Sequence, residues 1–226
     1  MEVTPTPTNS IRFHEDSDLK SSCVLEKDGH IEIQTNNSHR CELLIRKTTL
    51  SEVTKLRRIL MSQIHTMAIE FIEIERNSSV LPDETIAHRL GLLPIYCQNI
   101  EDFYAMEECE CEKESGCREC SLSFVLDVTG RTNNKFEVTS DHIEFSRGNM
   151  EISTAKIPIF FLRKGESVSI RGKIQKATGR IHSKWSPVTS SVIVSEVEDD
   201  VYRLSFEGIG QIKNEDLIRK ALHILG

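Results

Sequence analysis

The sequence predicts an α+β protein in which both chain ends build one domain and a strand-rich domain is inserted between them. The two best helix patterns lie near opposite ends of the chain, at residues 49–65 and 214–225. The stretch between these helices reads mainly as short strands. With 226 residues, of which 38% are hydrophobic, the chain can bury the core of one large domain or of two modest ones.

The predicted domain boundaries lie where the helical ends meet the strand-rich middle. Residues 1–10 carry two Thr-Pro steps and few apolar side chains, which indicates a flexible tail. Residues 11–65 and 188–226 are predicted to form the discontinuous domain, and residues 66–187 the insert. A cysteine-rich loop at 105–122 belongs to the insert.

The first domain is predicted to begin with a β-hairpin. Residues 30–34 alternate apolar and polar side chains, and residues 41–46 do so less regularly. The turn residues Asn36, Asn37 and Ser38 separate the two strands.

The helix at 49–65 has a clear start and one apolar stripe. Thr49 is the expected N-cap, and Glu52, three residues later, completes a capping box. Apolar residues recur along it at spacings of three and four, at Val53, Leu56, Leu60 and Ile64.

The middle of the chain is predicted to be strands interrupted by one short helix. That helix is 83–92, with Asp83 as its N-cap and Gly91 at its end. A polar loop at 179–188 contains the only tryptophan. The predicted strands of this region are 67–75, 123–128, 141–145, 157–162 and 166–174.

Two strands and a helix are predicted to close the chain. The strands are 191–197 and 201–210. The helix at 214–225 has Asn214 as its expected N-cap, because the side-chain oxygen of asparagine can accept a hydrogen bond from a free backbone N–H of the first turn. Its apolar face consists of Leu217, Leu222 and Leu225.

Four of the seven cysteines lie within twelve residues, which indicates a metal site. They are Cys109, Cys111, Cys117 and Cys120. Four thiolates can surround Zn²⁺ as a tetrahedron at about 2.3 Å, and such a full shell is typical of a structural site. An iron–sulfur cluster also takes four cysteines, although its usual spacings differ. The remaining alternative is four unrelated reduced thiols.

Outside this cluster the sequence shows no catalytic set. It contains no P-loop, no GxSxG and no HExxH. His88-Arg89 and Asp141-His142 are therefore interpreted as surface or interface positions rather than as a base with its partners. The other three cysteines, Cys23, Cys41 and Cys97, are interpreted as small core residues.

Charge and hydropathy exclude several protein classes. Lys plus Arg is 28 and Asp plus Glu is 35, so the net charge of −7 argues against a histone-like or DNA-coating protein. No apolar run approaches the roughly 20 residues that span a bilayer. The first residues lack the pattern of a signal peptide, so an intracellular protein is expected.

Several motifs together resemble the alpha-like subunits of multisubunit DNA-directed RNA polymerases. Residues 56–95 contain LRRI, the NSSVLPDE segment and AHRLGLLP, and the cysteine cluster follows them. LRKGESVSI at 162–170, HSKWSP at 182–187 and the closing FEGIGQIKNEDLIRKAL also match. The resemblance covers about residues 30 to 225 and is strongest to the third-largest subunit of eukaryotic RNA polymerase II and to its archaeal counterpart.

This resemblance implies a fold and a role. It implies a dimerisation domain of helices on an antiparallel sheet, with an inserted domain of mixed strands that carries the zinc loop. Such subunits are non-catalytic: they pair with a smaller alpha-like subunit and form the platform on which the large catalytic subunits assemble. The implied partners also include the second-largest catalytic subunit and small zinc-binding subunits, with no membrane and no base-specific contact with nucleic acid.

The helix patterns supply candidate partner-binding residues for this role. The apolar stripes are expected to pack against the partner's helices, although part of each stripe can instead pack on the chain's own sheet. Arginine is favoured at interfaces for its planar head with many donors. The candidate residues are Val53, Leu56, Arg57, Arg58, Leu60, Ile64, His88, Arg89, Leu217 and Leu222.

Two other functions and two locations remain open at the sequence level. A free-standing zinc module that binds nucleic acid is disfavoured, because glutamates dominate residues 105–120. A hydrolase that uses His88 or His142 lacks a partner residue at readable spacing. The expected location is the nucleus for a eukaryotic cellular subunit, or the host cytoplasm or virion for a viral one.

Overall fold

The computed structural model describes residues 12–14, 22–24, 30–37, 40–111, 115–131, 135–146 and 150–226. The predicted tail at 1–10, the turn residue Ser38 and the side chain of Cys23 lie outside the described residues. The described part is mostly antiparallel sheet with three α-helices, which confirms the α+β class. No helix in these ranges is both long and apolar enough to cross a membrane.

The chain divides into two compact units. Unit 1 is formed by residues 1–64 and 187–226, and unit 2 by residues 65–186. The two internal boundaries lie one residue before the predicted ones, and each unit has its own hydrophobic core.

Unit 1 contains a six-stranded sheet and two helices. The strands lie in the order β1-β2-β3-β4-β14-β13, and every neighbouring pair is antiparallel. The helices are α1, Leu50–Ser62, and α3, Asn214–Leu225. The strands are β1 (Arg12–His14), β2 (Ser22–Val24), β3 (His30–Asn36), β4 (Arg40–Arg46), β13 (Ile193–Glu198) and β14 (Val201–Glu207).

The central strands of unit 1 follow the alternation that their sequences predict. In β14, Tyr202, Leu204 and Phe206 are buried. Leu204 lies opposite Leu43 of β4, and Phe206 lies opposite Cys41. Because alternate side chains of a strand share one face, these residues present one apolar surface to the helices.

The start of α1 is as predicted, but the helix ends three residues early. Glu52 N–H donates to Thr49 Oγ1 at 3.3 Å, and Thr49 N–H donates to Glu52 Oε2 at 3.0 Å, which confirms the capping box. The helix ends at Ser62 because the chain turns into a strand that begins at His65.

Unit 1 buries the apolar stripes that were predicted to face a partner. Ile59, at 0% exposure, joins them in the same core. These side chains pack on the chain's own sheet and on one another, so they are not an exposed docking surface. The six stripe residues, each at most 3% exposed, are Val53, Leu56, Leu60, Ile64, Leu217 and Leu222.

The predicted N-cap of α3 is also corrected. Lys213 occupies the cap position and Asn214 is the first helical residue. The Asn214 side chain is instead buried and donates to Asn36 Oδ1 at 3.2 Å and to the carbonyl of Asn37 at 3.0 Å. Its amide therefore ties the start of α3 to the end of β3.

Unit 2 contains a second six-stranded sheet, a two-stranded sheet and one helix. The large sheet has the order β10-β6-β5-β12-β7-β9, and β11 pairs with β8. The helix α2 is Asp83–Gly91. The strands are β5 (His65–Asn77), β6 (Ile95–Cys97), β7 (Ser121–Thr129), β8 (Phe136–Thr139), β9 (Glu144–Phe145), β10 (Met150–Ile152), β11 (Pro158–Leu162) and β12 (Ser167–Thr178).

The predicted strand at 141–145 is largely wrong. Residues Ser140–His142 form a 3₁₀ turn, and only Glu144–Phe145 are extended. The Thr139 backbone N–H donates to His142 Nδ1 at 3.2 Å, so this side chain caps the turn. The contact gives His142 a structural role in this turn.

A four-cysteine cluster as the candidate metal centre

The four clustered cysteines are carried by two segments that meet at the end of β12. In the first segment, Ala105 forms a parallel bridge with Lys176 of β12, and Met106 N–H donates to the Lys176 carbonyl at 3.0 Å. In the second, Cys120 directly precedes β7, whose first residue Ser121 pairs with Gln175 of β12. Neighbouring positions of one strand therefore hold both halves of the cluster.

The sulfur atoms have the spacing of a tetrahedral metal site. All four Sγ atoms lie within 4.8 Å of one another. The Sγ–Sγ distance is 3.7 Å for Cys109–Cys117, for Cys111–Cys120 and for Cys117–Cys120. Four sulfurs at about 2.3 Å from one ion would lie about 3.8 Å apart. The donor set and its geometry therefore fit one tetrahedral metal ion.

Backbone N–H groups already point at the sulfurs. Glu119 N–H donates to Cys117 Sγ at 3.4 Å, and Cys117 N–H donates to Cys120 Sγ at 3.1 Å. The contact from Glu119 is the main cause that lowers the pKa of the Cys117 thiol to about 7. Burial raises the pKa of the Cys120 thiol to about 12. Burial therefore favours the neutral thiol at Cys120, whereas the backbone N–H contacts favour the thiolate at Cys117.

The turn before Cys117 requires glycine. Gly116 has φ = +76°, a region that side chains other than glycine rarely adopt. A Cβ atom here would lie 2.7 Å from Gln175 Nε2 and 2.9 Å from Ser121 Cβ. Ser121 Oγ also donates to the Cys117 carbonyl at 2.7 Å, which fixes the turn from the other side.

The surface around the cysteines is acidic. Arg118 is the one exposed cation among the described residues of 105–120. A surface that binds phosphates needs the opposite balance of charge. The exposed acidic side chains described here are Glu107, Glu108, Glu110 and Glu119.

The two solitary cysteines with described side chains are core residues, as predicted. Cys41 is 0% exposed in unit 1, and Cys97 is 7% exposed in unit 2. Burial, with smaller effects of Glu42 and Glu215, raises the pKa of Cys41 to about 12. This thiol therefore stays neutral and acts as a small apolar side chain.

The structure separates the four basic candidates for partner binding into two pairs. Arg57 Nε donates to the Val192 carbonyl at 2.8 Å, and Arg89 Nη1 donates to the Ile159 carbonyl at 2.5 Å. Both side chains thus hold elements of their own unit together. Arg58 and His88 are exposed and remain candidates for contact with a partner; Arg89 is also exposed in spite of its hydrogen bond to Ile159.

Sequence reasoning missed the structural role of Lys184. Its Nζ donates to the Ile69 carbonyl at 2.9 Å and to Glu70 Oε2, and lies 4.4 Å from the centroid of the Trp185 ring. Trp185 is 1% exposed, and its Nε1–H donates to the Gln175 carbonyl at 3.1 Å. The HSKWSP motif thus holds its loop against β5 and β12.

Comparison with known proteins agrees with the resemblance seen in the motifs. The family model of the RNA polymerase Rpb3/RpoA insert domain matches residues 72–193. The chain is 34% identical over 173 residues to the DNA-directed RNA polymerase II subunit rpb3 of Dictyostelium discoideum, which covers 72% of this chain and 56% of that protein. It is 35% identical over 178 residues to the conjugation stage-specific protein of Tetrahymena thermophila, which covers 70% and 57%.

An archaeal relative is covered more completely. The chain is 30% identical over 179 residues to the DNA-directed RNA polymerase subunit Rpo3 of Methanocaldococcus jannaschii, which covers 79% of this chain and 81% of that protein. The chain spans a little over half the length of the Dictyostelium and Tetrahymena relatives. The family model covers more than half of the chain, and the predicted family is confirmed: the chain belongs to the Rpb3/RpoA family of RNA polymerase subunits.

Proposed function

We propose that this chain is a non-catalytic assembly-platform subunit of a multisubunit DNA-directed RNA polymerase. The observation that carries the proposal is the match of residues 72–193 to the family's insert domain. In this role unit 1 pairs with a smaller alpha-like subunit, and the pair docks the large catalytic subunits. The chain then works inside the cell, in the nucleus if it is a eukaryotic cellular subunit, or in host cytoplasm or virion if it is viral.

The surface of unit 1 suggests where the smaller subunit binds. The apolar stripes are buried, but Leu50 at the start of α1 is 54% exposed and Ile224 near the end of α3 is 41% exposed. Lys55 Nζ of α1 donates to the Leu225 carbonyl of α3 at 3.2 Å, so the two helices meet at this end. Burial of exposed apolar side chains is the main driving force of association, and these two residues replace the stripes as proposed contacts.

Exposed polar residues are the proposed contacts with the large subunits. Arg58 lies on the solvent side of α1, and His88 is exposed on α2. An arginine that pairs across an interface fixes orientation with several hydrogen bonds. We assign these two residues to docking of the second-largest catalytic subunit.

Copurification tests the assembly role. A tagged chain should leave cells in a large complex with the polymerase subunits, and Leu50→Asp or Ile224→Asp should reduce capture of the smaller alpha-like subunit at least tenfold. Val80→Asp is the matched control, because Val80 is an apolar residue of unit 2 that is 72% exposed. Recovery of the chain alone, or in complex with nucleic acid only, would reject the assembly role.

We further propose that the four-cysteine cluster holds one structural Zn²⁺. The Sγ spacing and the backbone N–H contacts support a full tetrahedral shell without an open position. The zinc would stabilise the loop between the β12 bridge and β7, with Cys109, Cys111, Cys117 and Cys120 as ligands.

Elemental analysis of the purified chain tests the zinc site. One zinc per chain is expected, and Cys117→Ser and Cys120→Ser should each lose it. Cys97→Ala is the control, because Cys97 is a cysteine of the same unit outside the cluster. Zinc that persists in both serine variants contradicts the assignment, and iron with visible absorption would indicate a cluster instead.

A further inference from the structure

A buried glutamine stands directly behind the cysteine loop. Gln175 lies on β12 and is 2% exposed, so its whole side chain is removed from solvent. In the antiparallel ladder it lies opposite Ser121, the residue that follows Cys120. Cross-strand partners have neighbouring side chains, so the ladder itself brings the amide to the loop.

The amide reaches the tightest point of the loop. A Cβ atom at Gly116 would meet Gln175 Nε2 at 2.7 Å and Ser121 Oγ at 3.0 Å. Ser121 Oγ in turn donates to the Cys117 carbonyl. Gly116 is therefore held between two polar side chains, one residue before the first cysteine of the second pair.

The buried side chain of Gln175 has one polar atom without a hydrogen-bond partner in the described part of the chain. Within the described residues, Gln175 Oε1 is buried without a hydrogen-bond partner. A leucine would fill a similar volume without that cost, since buried polar groups normally have partners. The Gln175 main-chain carbonyl is already used by Trp185 Nε1–H, so the side chain is not needed for that contact. A buried amide at this position therefore calls for a physical reason.

Charge supplies that reason. Four thiolates around a divalent cation carry a net charge of about −2, and N–H groups around the sulfurs stabilise such a centre. The amide end that faces Gly116 is the Nε2 end, which carries the two N–H groups. The exposed side chains around the cysteines are mainly acidic and give no such help.

We propose that Gln175 is a positioning residue of the four-cysteine centre, which fixes the Gly116 turn and directs N–H groups toward the loop that holds the metal. The inference rests on the proposed metal-binding function. Gln175 does not ligate the ion. It sets the affinity and the geometry of the site by holding Cys117 and Cys120 in place relative to β12.

Metal affinity of the full chain tests this role. Zn²⁺ binding is measured by competition with a chromophoric chelator, and site geometry by the visible absorption of the Co²⁺-loaded chain. Gln175→Leu should weaken Zn²⁺ binding about 10- to 100-fold, the usual range for residues behind metal ligands. Gln175→Glu should weaken it further, because it adds a carboxylate beside an anionic centre. Gln98→Leu is the matched control, since Gln98 is exposed in the same unit, and it should bind as wild type does.

A double-mutant cycle keeps the test decisive if a single variant folds poorly. Gly116→Ala should weaken binding, because its Cβ would meet both Gln175 Nε2 and Ser121 and because φ is +76° there. Gln175→Ala removes the first of these contacts and leaves the other two causes, so the double variant should lose less affinity than the product of the two single losses. Emission of Trp185, the only tryptophan, checks that unit 2 is folded. The proposed role of Gln175 is overturned, with the metal site left standing, if Gln175→Leu keeps wild-type Zn²⁺ affinity and an unchanged Co²⁺ spectrum. Strict additivity in the cycle has the same meaning. A folded wild-type chain that takes up no metal overturns both the metal site and this inference.

Discussion

Truncation of Leu60 should destabilise unit 1. Leu60 is 1% exposed within the core of unit 1, and Leu60→Ala removes three buried carbon atoms. At about 0.8 kcal/mol for each buried carbon, the transfer cost alone is about 2.4 kcal/mol. The cavity left between α1 and the sheet adds to it, and buried Leu→Ala changes usually cost about 2–5 kcal/mol. We expect about 3 kcal/mol, or roughly a hundredfold in the folding equilibrium.

Urea titration of the full chain measures this loss. Far-UV circular dichroism follows both units, whereas Trp185 emission reports unit 2, which contains the only tryptophan. Leu60→Ala should lower the midpoint seen by circular dichroism and leave the emission midpoint nearly unchanged. Arg58→Ala is the control on the same helix, because truncation of an exposed side chain should change stability by less than about 0.5 kcal/mol.

The opposite result would restore the partner-binding interpretation of the stripe. If Leu60→Ala kept wild-type stability but failed to capture the smaller alpha-like subunit, Leu60 would be an interface residue and not a core residue. The same outcome would refute the packing of α1 on its own sheet, on which the predicted magnitude depends.

Two further perturbations test other contacts. Trp185→Phe should keep most of the packing but leave the buried Gln175 carbonyl without the N–H donor of the indole ring. The free energy of unfolding, measured by thermal unfolding, should therefore fall by about 1–3 kcal/mol. An unchanged melting temperature would contradict this. Because the Cys41 pKa rises from 9.0 to about 12 on folding, its contribution to stability is complete below about pH 9 and lost as the pH rises to about 12. Cys41→Val should therefore show a smaller alkaline loss of stability than wild type, and parallel pH profiles would count against the buried neutral thiol.

Local features of the sequence predicted the start of α1, the short helix of the insert and the four-cysteine cluster. The capping box of Thr49 and Glu52 acts within one helical turn, so its residues alone could predict where α1 begins. The helix predicted at 83–92 is observed at Asp83–Gly91, but its predicted N-cap is wrong: Pro82 occupies the cap position without a side-chain hydrogen bond, and Asp83 is the first helical residue. The four cysteines were predicted as one group because a metal site joins ligands by short spacings.

Tertiary structure decided what lies next to each element. An apolar stripe at helical spacing shows that a helix buries one face, but it does not show whether its own sheet or another subunit covers that face. Leu60 packs on its own sheet, and the exposed apolar residue of α1 is Leu50, the first residue of the helix, although it also lies three positions before Val53.

The same holds for the side chains that hold each unit together. Arg57 meets the carbonyl of Val192 across 135 positions of the chain, and Lys184 meets that of Ile69 across 115. The amide of Gln175 reaches Gly116 only because β12 and β7 pair in one register. Sequence periodicity and motif spacing do not predict such contacts. Strand register and helix packing depend on how a whole hydrophobic core is buried, and residues distant in sequence form that core together.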